Sequence, residues 1–438
     1  MVTSRKLQKL ERQCGTVNMM NARKGVNNDQ KHKPVQVTHK RHLPPAHLNK
    51  RSPMQTAECL NHLAPYLFAQ IDAKKAALTE QGIDVISLGI GDPDMPTPAH
   101  IVDAMAEAIR NPANHQYPDY AGSLAYRQAC ADYMKRKFDV TLDPKTEVLA
   151  LIGSKEGIAH LHTAFVNPGD YVLAPAIGYP VYSGGATLQS ANTYFMPMNK
   201  ENGFLADFDH IPEEVLERAK IMFLGYPNNP TGACATPEYF DKAIAFCREH
   251  DILLAHDNAY CDICYDGYEA PSILQRPHAM DCCIEFFSLS KSYNMTGWRI
   301  GFACGNPEAI EALGTVKNNL DSGQFTAIQD AAIVALTGPQ DCVEEMCALY
   351  QKRRDLVVDA LRAIGVECEA PKATIYVWAK VPEGETSESF ATKLLEEAHV
   401  VVTPGNGYGP EGEGYIRISL TTPDDRLLEA VDRIKQLV

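Results

Sequence analysis

Between residues 148 and 303 the chain carries seven short apolar runs, at 148–152, 171–174, 193–196, 221–224, 252–255, 283–287 and 300–303. Helical patterns separate several of them, notably at 155–165 and 237–249. Runs this short, apolar at consecutive positions, are those of strands buried on both faces. Strands that alternate with helices build a mostly parallel sheet covered by helices on both sides. The expected fold is therefore α/β, with a mostly parallel seven-stranded sheet flanked by helices.

The flanking segments differ. A helical pattern at 66–80 leads to a short strand at 85–88 and the turn Gly89-Ile-Gly-Asp-Pro-Asp94. A long helical pattern covers 340–364, and Tyr415-Ile-Arg-Ile-Ser-Leu420 alternates like a half-buried strand. The final helix opens at Thr422-Pro-Asp-Asp425, with Thr422 as cap and Pro423 at the first position. Its residues Leu427, Leu428, Val431, Ile434 and Leu437 are read as one apolar face. A chain of 438 residues exceeds one small core. Residues 101–339 are expected to form a large domain and 340–438 a smaller α+β domain. Residues 54–100 are read as an arm and part of that smaller domain.

Charge is unevenly placed. Residues 1–53 hold 12 Lys/Arg against 2 Asp/Glu, whereas the whole chain has a net charge of −14. The first 53 residues show no periodicity and are expected to be a disordered basic extension, dispensable, with Met54 near the functional start. A transit peptide would be richer in Ser, and a nucleic-acid tail would interleave aromatics. The acidic body argues against nucleic acid as a partner. No run of 18 apolar residues suggests a membrane span. The 13 cysteines follow no disulfide spacing and imply a reducing, cytoplasmic setting. Cys261-x-x-Cys264 has no second pair to complete a metal site and is read as two packed thiols.

In open α/β sheets ligands bind beyond the carboxyl ends of the strands. The chain's polar clusters fall there: Gly153-Ser-Lys-Glu-Gly157, Gly225-Tyr-Pro-Asn-Asn-Pro-Thr-Gly232, His256-Asp-Asn-Ala-Tyr260 and Ser288-Leu-Ser-Lys291. A lysine desolvated at a strand end becomes a neutral amine nucleophile toward an aldehyde, which Lys291 could supply. Asp257, after an apolar strand, needs a cationic partner such as a protonated ring nitrogen. Ser154 at a helix start, Ser288 and Arg299 could cup a phosphate. Arg417, on the alternating strand, could fork onto a carboxylate. Each has a plainer reading too: a loop lysine, a helix cap, an exposed charge.

The ordered set Pro227-Asn-Asn-Pro-Thr-Gly232, Asp257-x-x-Tyr260, Ser288-x-Ser-Lys291, Arg299 and Arg417 resembles the fold-type I, class I/II aminotransferases, over nearly all of the chain beyond Pro65. The resemblance implies pyridoxal 5′-phosphate (PLP), bound covalently by Lys291. It implies that Asp257 pairs the ring nitrogen, that Tyr260 and Asn229 reach the phenolic oxygen, and that Tyr179 stacks on the ring. Ser154, Lys155, Ser288, Ser290 and Arg299 would hold the phosphate, and Tyr117, with Tyr120 as the competing candidate, would reach the phosphate of a neighbouring subunit in a homodimer. Gly91 and Arg417 would line the site for the substrate carboxylate. Within the class, Ala64-Pro-Tyr-Leu-Phe-Ala-Gln-Ile-Asp72, Tyr179-Pro-Val-Tyr182 and Asn319-Leu-Asp-Ser-Gly323 look most like LL-diaminopimelate aminotransferases, in which residues matching Tyr66 and Asn319 help bind substrate. The partners implied are a small amino acid and a 2-oxo acid. An aspartate, alanine or aromatic aminotransferase, a PLP-dependent C–S β-lyase, and a non-catalytic regulator of the same fold stay open at this point.

Overall fold

The structure is a computed structural model that describes residues 54–63 and 67–437, with side chains from residue 74 onward in the second stretch. The expected extension 1–53 and the substrate candidate Tyr66 lie outside the described residues. Residues Thr56–Val438 form one compact unit.

All seven apolar runs become strands of one sheet. Across it the order is Val148–Leu151, Gly301–Gly305, Cys283–Ser288, Leu253–Asp257, Ala219–Leu224, Tyr171–Pro175 and Asn192–Met196. Gly301–Gly305 runs antiparallel to both neighbours; the other pairings are parallel. Strand ends differ from the apolar runs by a residue or two, because polar residues such as Asp257 and Ser288 complete the ladders. The double-sided burial is visible along one strand. Met222 and Leu224 join the core beneath helices Leu124–Phe138 and Pro237–Glu249, while Ile221 and Phe223 face the core under Ser154–Phe165 and Pro307–Leu320. Alternation of side chains across a pleated strand produces this division.

A third core lies around an antiparallel three-stranded sheet, ordered Thr403–Pro404, Tyr415–Ser419 and Tyr376–Lys380. Helix Asp341–Ala363 covers it with Met346, Tyr350, Val357, Val358 and Leu361, spaced by threes and fours. Ile86–Ser87 pairs in parallel with Val400–Val401, so the segment before residue 100 packs in this same core. The last helix, Asp424–Lys435, departs from expectation at its start. Pro423 is the cap, with no side-chain hydrogen bond, and Thr422 instead donates to the Ser87 carbonyl at 3.0 Å. A chain-crossing bond has taken the hydroxyl that local pattern assigned to capping. Leu428 also falls off the buried face, at 46% exposed.

Arg353 ties this region to the turn after residue 88. It is 4% exposed, forks onto Asp94 at 2.8 and 2.9 Å, and donates to Asp424 at 2.8 Å and to the Leu420 carbonyl at 3.0 Å. Removing one member of a buried pair leaves the other charge uncompensated. Arg353→Met should therefore destabilise the protein by about 3 kcal/mol, read as a lower urea midpoint at unchanged slope. An unchanged midpoint would remove this clamp from the account.

Candidate active site

Loops at the carboxyl ends of the central strands, with residues from the three-stranded sheet, enclose a cavity of about 380 Å³. It is lined by Lys291, Asp257, Tyr260, Asn229, Tyr179, Ser154, Lys155, Ser288, Ser290, Arg299, Gly91 and Arg417. Twelve positions singled out from sequence are thus brought together from segments spanning residues 91–417.

Lys291 sits on a single turn of helix, Leu289–Ser292, begun by Ser288, whose hydroxyl accepts from the Ser290 amide at 3.3 Å. Its Nζ donates to the Gly91 carbonyl at 2.7 Å. Burial lowers the amine's pKa below the ordinary lysine value; Tyr376 and Asp92 push it back up, and Arg417 and Arg299 push it further down. A larger fraction of neutral amine is the state a nucleophile requires.

Asp257 ends the strand Leu253–Asp257 and points one oxygen at Tyr182, whose hydroxyl donates to Oδ2 at 2.9 Å. Oδ1 is buried and has no hydrogen-bond partner in the described structure. Burial pushes the carboxyl up to about 6, against the opposing hydrogen bond from Tyr182, the neighbouring His256 and the Ala259 backbone amide. A bare, buried carboxylate oxygen facing a cavity fits a protonated ring nitrogen. Behind it His256 is fully buried, with Nδ1 2.8 Å from Glu285 Oε1 and Nε2 3.0 Å from the Tyr226 carbonyl. Asn258 donates to the same Glu285 oxygen at 2.9 Å, so the strand end is anchored on both sides of Asp257.

An anion cup lies at the other end. Ser154 opens helix Ser154–Phe165, whose first amides have no partner within the helix. Gly153 precedes it at φ +79°, and a Cβ there would stand 2.3 Å from Arg299 Nη2, so glycine is required for both backbone and space. Arg299 Nη1 is held by the Thr296 carbonyl at 2.8 Å and lies 3.5 Å from Ser290 Oγ. Hydroxyls, free amides and a guanidinium together suit a phosphate.

Arg417 comes from the three-stranded sheet. It donates to Asn229 Oδ1 at 2.9 Å and to the Gly89 carbonyl at 2.6 Å, and its guanidinium lies 4.0 Å from the centroid of the Tyr376 ring. The Tyr376 hydroxyl is 3.0 Å from that of Tyr260. A Cβ at Gly91 would collide with the Tyr376 hydroxyl at 2.0 Å. Tyr376 and Tyr182 were not singled out from sequence. Tyr182 closes the Tyr179-Pro-Val-Tyr182 motif, whereas Tyr376 sits in an ordinary apolar strand and gives no local signal.

Two candidates are not brought to this cavity. Tyr117 is 86% exposed, and Asn319 is exposed with its amide on the Thr315 carbonyl at 2.8 Å. The segments that carry them are neighbours: a Cβ at Gly323 would lie 3.0 Å from the Asp119 carbonyl oxygen. Cys261 is buried, and Cys264 donates to its carbonyl at 3.4 Å; both are free thiols.

Asp257 gives a pH test. Its folded-state value is raised, so its favourable contribution is full below the unfolded value of 3.8 and is lost as pH rises through about 6. In cofactor-free protein, Asp257→Asn should gain up to about 3 kcal/mol over wild type at pH 8 relative to the difference at pH 4. Paired urea titrations measure this, and a pH-independent difference contradicts it.

Comparison with known proteins identifies the family. The family model described as Aminotransferase class I and II matches residues 83–434. The LL-diaminopimelate aminotransferase of Moorella thermoacetica is 53% identical over 385 residues, covering 88% of this chain and 99% of its own. That of Aquifex aeolicus is 55% identical over 379 residues, covering 86% and 98%. Among solved structures, substrate-bound BacF from Bacillus subtilis has a TM-score of 0.85 at 41% identity, covering 88% of this chain and 98% of that one. Aspartate aminotransferase from Thermus thermophilus with maleate has a TM-score of 0.81 at 29% identity, covering 88% and 100%. Among the described residues no helix is long and apolar enough to cross a membrane. With the sheet, the cavity and these matches in agreement, the chain belongs to the class I and II aminotransferases, and it is a PLP-dependent transaminase.

Proposed function

We propose that the chain is an LL-diaminopimelate:2-oxoglutarate aminotransferase of lysine biosynthesis, acting as a cytoplasmic homodimer. The substrate reading is supported by relatives of that name at more than half identity over almost their whole length. The chemistry is carried by one observation: Lys291, the bare oxygen of Asp257 and Arg417 share one cavity.

Bound PLP supplies an aldehyde that exchanges its amine partner and a protonated ring that draws electrons from the substrate α-carbon. The chain's own groups do the rest. Lys291 would hold the cofactor through its aldehyde carbon, and its Nζ, once freed, would accept the substrate α-proton as a general base and give it back as a general acid. Asp257 would keep the ring nitrogen protonated, and the hydrogen bond from Tyr182 favours its ionised form. Tyr260 and Asn229 are assigned to the phenolic oxygen, and Tyr179 to the ring face. Ser154, Lys155, Ser288, Ser290 and Arg299 are assigned to the phosphate. Arg417 and Gly91 are assigned to the substrate carboxylate, and the Asn229–Arg417 bond couples that site to the cofactor. In the biosynthetic direction the amine comes from glutamate, and the acceptor is the open, oxo-acid form of tetrahydrodipicolinate.

Residues 101–339 are proposed as the cofactor-bearing domain and 340–438 as the smaller one, with 54–100 contributing to the latter. The homodimer reading is supported by the exposed patch that holds Tyr117, Tyr120 and Leu320 (86%, 47% and 62% exposed). Tyr117 and Asn319 on that patch would complete the partner's site, which explains their distance from their own. The fold by itself does not choose the substrate, because an aspartate aminotransferase shares it.

A donor screen with 2-oxoglutarate tests the reading. LL-diaminopimelate should outperform aspartate, alanine and phenylalanine, and Lys291→Ala should lower turnover by at least about a thousandfold. Preference for another donor overturns the substrate. Pyruvate and ammonia released without an acceptor would establish the β-lyase instead. Turnover undiminished in Lys291→Ala removes the mechanism.

A further inference from the structure

Five residues beyond Asp257, Asp262 carries a carboxylate that faces away from all of the chemistry yet touches its framework. It is missing from the lining of the active-site cavity and lines a second one of about 730 Å³. Its side chain is 10% exposed. The Tyr133 hydroxyl donates at 3.0 Å to each carboxylate oxygen, and the Ser292 hydroxyl donates to Oδ2 at 2.5 Å. Lys137 forms an ion pair with Oδ1 and also donates to the Cys261 carbonyl at 3.1 Å. Ser292 is the residue after Lys291 and the last of its helical turn.

We infer that Asp262 is a positioning residue for transamination: through Ser292 it locks the turn that carries Lys291 to the loop that follows Asp257 and carries Tyr260. The inference rests on the role proposed above for Lys291.

A turn of four residues has no stability of its own and depends on tertiary bonds. The bond to Asp262 is charge-assisted, the stronger kind of hydrogen bond. Its acceptor cannot swing, because Lys137 and Tyr133 belong to the long helix Leu124–Phe138 and fix the carboxylate from the opposite side. Burial disfavours the charge on Asp262, but Lys137 with the hydroxyls of Ser292 and Tyr133 together hold the carboxyl below its usual range. The five residues that follow the strand-end Asp257 thus hold the phenol for the ring oxygen and the anchor of the amine directly beyond the acid for the ring nitrogen. A displacement of about 1 Å at a reacting group costs up to about a hundredfold in rate, so such a lock has kinetic weight.

The test uses holoenzymes of wild type, Ser292→Ala and Asp262→Asn. Ser292→Ala deletes only the link and leaves the Lys137–Asp262 pair intact, so it decides the matter if Asp262→Asn fails to fold. The readouts are the pH titration of the visible band of lysine-bound cofactor and the separate values of kcat and KM. A loosened turn lets the nitrogen leave its desolvated position beside the Gly91 carbonyl, where Arg417 and Arg299 also disfavour its charge. The titration midpoint should therefore rise by about half a unit or more, kcat should fall about tenfold, and KM should stay within about twofold. If Ser292→Ala keeps the wild-type midpoint and kcat, whatever its melting temperature, the inference is overturned alone. A visible band persisting in Lys291→Ala overturns the Lys291 assignment and this inference with it.

Discussion

A carboxylate oxygen buried without a partner is among the costlier arrangements a fold can keep, and Asp257 Oδ1 is in that state. Burial raises its pKa to about 6 rather than leaving it comfortably ionised. The same desolvation acts in the opposite charge sense on Lys291, holding back its protonation. A buried carboxylate and an amine of lowered basicity, in one cavity, fit a group with a protonated ring nitrogen and an aldehyde, and PLP is such a group.

The surrounding architecture serves that arrangement. Parallel strands buried on both faces deliver their carboxyl ends to one edge, where Asp257 and Ser288 stand on adjacent strands. The His256–Glu285 pair fixes the end of the Asp257 strand from within. The antiparallel sheet then brings Arg417 against Asn229 and Gly89, so that the site needs both sheets to be complete. Arg353, bound to Asp94 and Asp424, ties the turn after residue 88 to the helices of the third core. Gly91, which accepts from Lys291, belongs to that turn.

Much of this was legible in the sequence because it is local. Seven apolar runs gave seven strands, and the clusters after four of them gave most of the cavity. The missing parts are contacts between distant segments. The Tyr182–Asp257 bond spans 75 residues, and the Arg417–Gly89 bond spans 328. Neither leaves a periodic trace. Tyr376 illustrates the limit: within its strand it is one more buried aromatic, and only the fold sets it between Arg417 and Tyr260. Thr422 was misread for the same reason, since a hydroxyl next to a helix start looks like a cap until Ser87 claims it. Tyr117 and Asn319, both exposed, are not brought to the cavity.

Covalent attachment is the most direct point to probe. Holoenzyme reduced with borohydride fixes the cofactor permanently to whichever amine holds it, and peptide mass mapping then locates the adduct. The account predicts one adduct, on the peptide containing Lys291. An adduct on another lysine, or none, would contradict it.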